Sequence, residues 1–420
     1  MPDSRSQSIR NIGLLSAVQA LGGSSSSIIM SVAALAAVNF APDRSAVTLP
    51  VTAMIVGLAL TTSTATMVIY RLGRTRGLML GAAIGIPASI VATLAVILGQ
   101  FYLFAAGLFL VGMSGAFMQQ VRFAAADSVA PEFKSQAISW VMFGGVAAGF
   151  LGPQLSALSI GWIPGAEYAA SFMVIGVISL LSVLVLAGTR LAPTHAPGAT
   201  EDKGRPLSVL LRQPEIVLPM LGAALSYALM TLIMVAAPLA MVHLCGHSPT
   251  DAAGAIQWHV VAMFAPSFVT GAIIKRIGAN LVTAIGLLLI IACAVIALNG
   301  ITVAHFTITL ILLGVGWNFG FIGSTAMLAT SYRPQEAGRV QAVNEQVVFG
   351  SSAIASLSSG FLLQFVGWEA INLLAIPVAT LTILLLGFRR APEAKKKAPV
   401  NRGFGCQDSA CPRTRTGWSR

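Results

Sequence analysis

Between residues 11 and 388 the chain passes through twelve apolar stretches of roughly 18 to 25 residues, the length a helix needs to cross a hydrocarbon core. No other feature constrains the fold as tightly. Lipid offers no hydrogen bonds, so a spanning backbone must pair internally as helices or as a closed barrel. A barrel requires short segments of alternating polarity, whereas runs such as LVTAIGLLLIIACAVIALNG at 281–300 are long and continuous. We therefore expect an all-α integral membrane protein with spans near 11–37, 46–69, 78–98, 101–126, 137–160, 168–189, 216–242, 252–274, 281–300, 305–330, 340–365 and 369–388. Composition agrees: 56% of residues are hydrophobic and 9% charged, against about 25% charged in soluble domains. So few charges cannot cover a water-facing surface.

The 25 basic residues exceed the 14 acidic ones, an excess that in a soluble protein suggests nucleic acid. Their placement gives another explanation. Across the twelve expected spans all of them except Arg44 fall on one side, the pattern that retention of Lys and Arg in the cytoplasm produces. Both termini are thus expected to be cytoplasmic, in a bacterial inner membrane, with the bilayer and a small molecule as partners, no nucleic acid, and a monomeric state. The opening stretch is too long for a signal-peptide core and is expected to remain as the first helix. Cys245, Cys293, Cys406 and Cys411 form no ligand-spaced cluster, so neither metal nor cofactor is expected.

The chain repeats itself at an offset near 205 residues. Arg71-Leu72-Gly73 recurs as Arg276-Ile277-Gly278, Lys134-Ser135-Gln136-Ala137-Ile138 as Arg339-Val340-Gln341-Ala342-Val343, and Ile160-Gly161-Trp162 as Val366-Gly367-Trp368. Four matches, with Pro131 and Pro334, fall at corresponding loop positions and describe six helices followed by six similar ones. The expected organisation is one bundle over 1–189, a cytoplasmic linker over 190–214, a second bundle over 215–388 and a basic tail over 389–420.

Thr66 to Arg76, TMVIYRLGRTR, resembles the loop between the second and third helices of the major facilitator superfamily, usually G-x-x-x-D-R-x-G-R-R. Arg71, Gly73, Arg74 and Arg76 fit; Thr66 replaces the Gly and Tyr70 the Asp. Gly271-x-x-x-Lys275-Arg276-x-Gly278 is a fainter copy. The resemblance implies two pseudo-symmetric six-helix bundles and a cytoplasmic gate at Arg71, Gly73, Arg74, Arg76 and Arg276. With Tyr70 in place of the acid, Asp127 or Glu345 is expected to partner Arg71 or Arg74. The tracts 117–127, 257–268 and 312–323 resemble a bacterial facilitator group that includes proposed riboflavin importers. Ala148-x-x-x-Gly152-Pro153 is similar to an antiporter pattern of which only the central Gly-Pro is intact, and close helix packing is the favoured account.

Polar residues inside spans are costly and tend to serve function. In this fold the first, fourth, seventh and tenth helices line the central path. Here they supply Gln19, Gln119, Gln120, Tyr227, Trp317 and Asn318, suited to an uncharged or mildly polar organic solute. Arg122 is expected to snorkel or to pair with Asp127. Glu345, His259 and Asp127 are the proton-coupling candidates, since the first helix carries no acid. The function expected is secondary transport of a small organic solute by alternating access, with drug or metabolite export, a riboflavin-like vitamin importer, or a non-transporting receptor as alternatives. An enzyme is disfavoured because no span pairs a nucleophile with a base.

Overall fold

The structure is a computed structural model that describes residues 3–126, 128–129, 134–191 and 204–387, and all regular structure there is helical. The first six spans are built from α1 (Asp3–Val38), α2 (Leu49–Leu72), α3 (Arg74–Ile97), α4 (Phe101–Met118) with the short α5 (Val121–Ala126), α6 (Lys134–Ser159) and α7 (Ala169–Ala187). A surface turn, α8 (Leu207–Leu210), leads into α9 (Pro214–Leu239), α10 (Pro249–Phe264), α11 (Ser267–Ile277), α12 (Ala279–Leu298), α13 (Val303–Ala329), α14 (Ala337–Phe365) and α15 (Gly367–Gly387). Eleven helices among the described residues are long and apolar enough to cross a membrane. The pair α10 and α11, bent by 44°, meets the same test when the two are taken together, which brings the number to twelve.

Local sequence explains the irregularities. Pro266 follows the last residue of the α10 cap and lacks the N–H that would continue the ladder, so the eighth span bends there. Pro238 precedes a π-helical turn at Ala240–Leu244 for the same reason. The serine run of α1 does not unwind the helix: Ser24 Oγ donates to Ala20 O at 2.7 Å, bonding to the preceding turn.

The repeat is visible in the backbone. Gly73 joins α2 to α3 at φ 83°, ψ 157°, and Gly278 joins α11 to α12 at φ 85°, ψ 150°. Both turns need a positive φ that a side chain disfavours, which is why Arg-x-Gly is kept at both places.

Without a hydrophobic force between helices in lipid, close packing holds the bundle, and small residues permit it. A Cβ on Gly152 would lie 2.8 Å from Ser24 O, so α6 rides directly on α1. The Gly152-Pro153 segment is thus occupied by packing. Three residues earlier on α6, Gly149 faces the last six spans, where a Cβ would fall 3.0 Å from Val261 N of α10.

We call the face bearing the 190–214 linker the linker face, and the opposite one the far face. Among the described residues, side-chain hydrogen bonds between the first and last six spans lie from mid-depth to the far face. Gln154 Nε2 donates to Gln257 Oε1 at 2.6 Å, Thr52 Oγ1 to Ser356 Oγ at 2.9 Å, and Gln346 Nε2 to Ala59 O at 3.0 Å. Gly360 of α14 packs against the Arg44–Thr48 turn.

On the linker face Arg205 grips Glu336, which is fully buried, through two parallel bonds of 2.7 Å. The backbone N–H groups of Arg205 and Arg333 each add a bond of 2.9 Å. Four donors on one carboxylate, the Arg205 side chain foremost, hold its pKa far below the usual range and raise that of Arg205. The linker end is thereby tied to the α13–α14 connection.

Candidate functional site

Tyr227 of α9 is the hub of an aromatic cluster at mid-depth. Its ring centroid lies 5.4 Å from Trp317, 5.5 Å from Phe321 and 5.6 Å from Phe349, each edge to face. Trp317 and Phe321, four residues apart on α13, stack at 5.3 Å with only 9° between their planes. Phe264, at the end of α10, adds a further edge 6.3 Å from Trp317. Such rings offer flat apolar faces worth about 0.5–1.5 kcal/mol per pair beyond area burial.

One turn from Phe349 on α14 is Glu345, so both lie on one face of that helix. Glu345 Oε1 is 3.9 Å from Arg122 NH2 of α5, the carboxylate coming from the eleventh span and the guanidinium from the fourth. Both side chains are 31% exposed, and the Arg122 guanidinium also lies 4.9 Å over the Phe123 ring. The separation exceeds a hydrogen bond, so the pair is slack. Two donors nearby are unpartnered: Arg122 Nε and Trp317 Nε1.

The sequence therefore named Tyr227, Trp317 and Glu345, which the structure groups with Arg122. Among the described residues Arg122 pairs with Glu345; Asp127, its other expected partner, lies outside them. Glu345 meets Arg122 rather than Arg71 or Arg74, because it lies more than two turns into α14, whereas Arg71 and Arg74 occupy the end turns of α2 and α3 at the linker face. Arg71, Arg76 and Arg276 are exposed there and Arg74 is half-buried, flanking the Gly73 and Gly278 turns.

Asn318 is committed to helix packing in this structure. It is fully buried, donating to Met263 O at 2.6 Å and Ser267 Oγ at 2.7 Å and accepting from Thr270 Oγ1 at 2.7 Å. Those bonds stitch α13 to the α10–α11 bend and use both amide donors. His259 is likewise sealed, with Nδ1 donating to Leu310 O at 2.7 Å and Nε2 buried without a partner. Gln19 is half-buried against Gly144 of α6. Gln119 and Gln120 form the half-buried break between α4 and α5, one turn before Arg122.

Sequence reasoning did not single out Phe264, Phe321 or Phe349, since aromatic residues abound in spans and only tertiary proximity distinguishes these. A separate cavity of about 20 Å³ among the first six spans, lined by Ser25, Ser114 and Ser179, has room for a single water and not for a solute.

A twelve-span helical bundle with an aromatic cluster and an ion pair joining its halves has the architecture of a membrane carrier. The sequence profile of the Major Facilitator Superfamily matches residues 15–344 and, overlapping, 219–418, and the chain belongs to that family. The riboflavin transporter RfnT of Brucella anthropi is 44% identical over 386 residues, 91% of this chain and 96% of that one. YdeG of Bacillus subtilis, described as an uncharacterized MFS-type transporter, is 30% identical over 75% of this chain and 76% of its own. Among solved structures, the partially occluded inward-open xylose transporter XylE of E. coli superposes with a TM-score of 0.71 at 13% identity, covering 94% and 100% of the two chains. The E. coli fucose:proton symporter FucP gives 0.63 at 15%, covering 92% and 100%. The chain is a membrane-embedded transporter of a small-molecule substrate, and not an enzyme.

Proposed function

We propose that this transporter imports riboflavin or a closely similar flavin, coupled to protons, by rocking a bundle over residues 1–189 against one over 215–388. The observation carrying this reading is the aromatic cluster of Tyr227, Trp317, Phe321 and Phe349 capped by the Arg122–Glu345 pair. A flat, neutral, hydrogen-bonding tricycle suits stacked rings beside a charge pair whose net charge is zero. The 44% identical relative named a riboflavin transporter supports the same solute.

Glu345 is the coupling group in this reading: it joins the two bundles to each other through Arg122, and protonation removes the charge that attracts the guanidinium. The contacts between the halves described above, at mid-depth and the far face, fit an inward-facing state, with the linker face cytoplasmic and the protein a monomer in the inner membrane, without nucleic-acid partners. The loop residues Arg71, Gly73, Arg74, Arg76 and Arg276 close that face in the alternate state.

Uptake of riboflavin into proteoliposomes, with and without an inward proton gradient, tests the proposal. Saturable uptake accelerated by the gradient is expected. Absence of riboflavin uptake under both conditions overturns the solute; gradient-driven efflux overturns the direction.

A further inference from the structure

We propose that the Arg122–Glu345 pair reads a cyclic imide edge, the C=O, N–H, C=O sequence found in flavins, lumazines and uracils, while the aromatic cluster holds the ring plane. The inference deepens the flavin reading and rests on it.

Three features favour such an occupant. At 3.9 Å the two charged groups make no direct hydrogen bond, so each retains bonding capacity. Arg122 Nε has no acceptor and is buried, which is costly unless a ligand supplies one. Glu345 can only accept when ionised, and Arg122 can only donate. Side by side they present an acceptor next to a donor. The complement is a ligand edge with a donor next to an acceptor, and an imide supplies it with N–H flanked by carbonyls. A carboxylate or phosphate would satisfy Arg122 but face Glu345 with like charge, and a polyol would match without needing the plane that the cluster dictates. Phe349, one turn from Glu345 on the same face of α14, places the stacking surface beside the edge reader.

Binding measured by quenching of flavin fluorescence on the purified wild-type protein, with riboflavin, N3-methylriboflavin and lumazine, tests this. Methylation removes the imide donor and leaves the ring plane intact. Wild type is expected to bind riboflavin, to bind lumazine more weakly, and to lose about tenfold or more in affinity for the N3-methyl compound, as expected for a lost hydrogen bond to a charged group. In Glu345→Ala the affinity for riboflavin falls by a similar factor and methylation costs nothing further. Equal affinity of wild type for riboflavin and its N3-methyl form overturns the imide assignment while leaving flavin transport standing. Lumazine bound without riboflavin sinks the flavin reading and keeps the imide edge; binding of neither sinks both. Because the methyl comparison uses wild type, misfolding of the variant does not decide the outcome.

Discussion

Arg122 and Glu345 approach to 3.9 Å from spans that belong to the first and last six of the chain, the one ion pair between them among the described residues. A contact of this kind is made or broken as the halves move and so biases their equilibrium. Replacing Glu345 by Gln keeps an acceptor oxygen and removes the titrating charge. We expect Glu345→Gln to lower accumulation driven by a proton gradient by about tenfold or more, a change of about 1.4 kcal/mol or more, while riboflavin counterflow without a gradient persists. Unaltered gradient-driven accumulation removes Glu345 from coupling.

The far face is held by neutral bonds. Thr52 and Ser356 hydroxyls lie 2.9 Å apart, close enough for a cysteine pair to bridge. In a chain with its native cysteines replaced by serine, Thr52→Cys with Ser356→Cys is expected to form a disulfide that blocks uptake and is reversed by dithiothreitol. Undiminished transport by the oxidised protein contradicts closure of this face as a step of the cycle.

Asn318 spends its amide on three bonds that fasten the α10–α11 bend to α13. Buried bonds of this kind contribute about 0.5–1.5 kcal/mol each, more when partners are stranded. Asn318→Ala should lower the thermal midpoint in detergent by several degrees with riboflavin affinity changed less than about twofold. A selective loss of affinity at unchanged midpoint restores it to the binding site.

Glu336 has its pKa depressed, chiefly by Arg205, so its contribution to stability is complete above the unfolded carboxylate value near 4.5 and is lost as pH falls toward the folded value. Glu336→Gln should therefore melt below wild type at pH 7, on the order of a few degrees, and the difference should shrink steadily below about pH 4.5. A gap that stays constant between pH 7 and pH 3.5 argues that charge at Glu336 does not matter.

Much of the architecture was legible in the chain because lipid imposes a simple rule: an uncharged run of sufficient length must form a spanning helix. The expected edges, the bend at Pro266 and the paired turns at Gly73 and Gly278 all follow from local chemistry. Tyr227, Trp317 and Glu345 were visible as polar or amphipathic residues inside spans, where such groups are costly. Asn318 and His259 looked equivalent by the same rule, and nothing in the linear order distinguishes a polar side chain that stitches two helices from one that faces a cavity.

That distinction belongs to rotation of each helix about its axis and to which helices become neighbours. Sequence by itself determined the span count, the duplication and the class of solvent. Only the tertiary structure joined Arg122 to Glu345 across 223 positions and gathered Phe264, Phe321 and Phe349 around Tyr227. Side-chain chemistry sets what each group is able to do; packing in three dimensions sets which groups meet, because helix contacts in lipid are governed by shape and small residues rather than by any local signal.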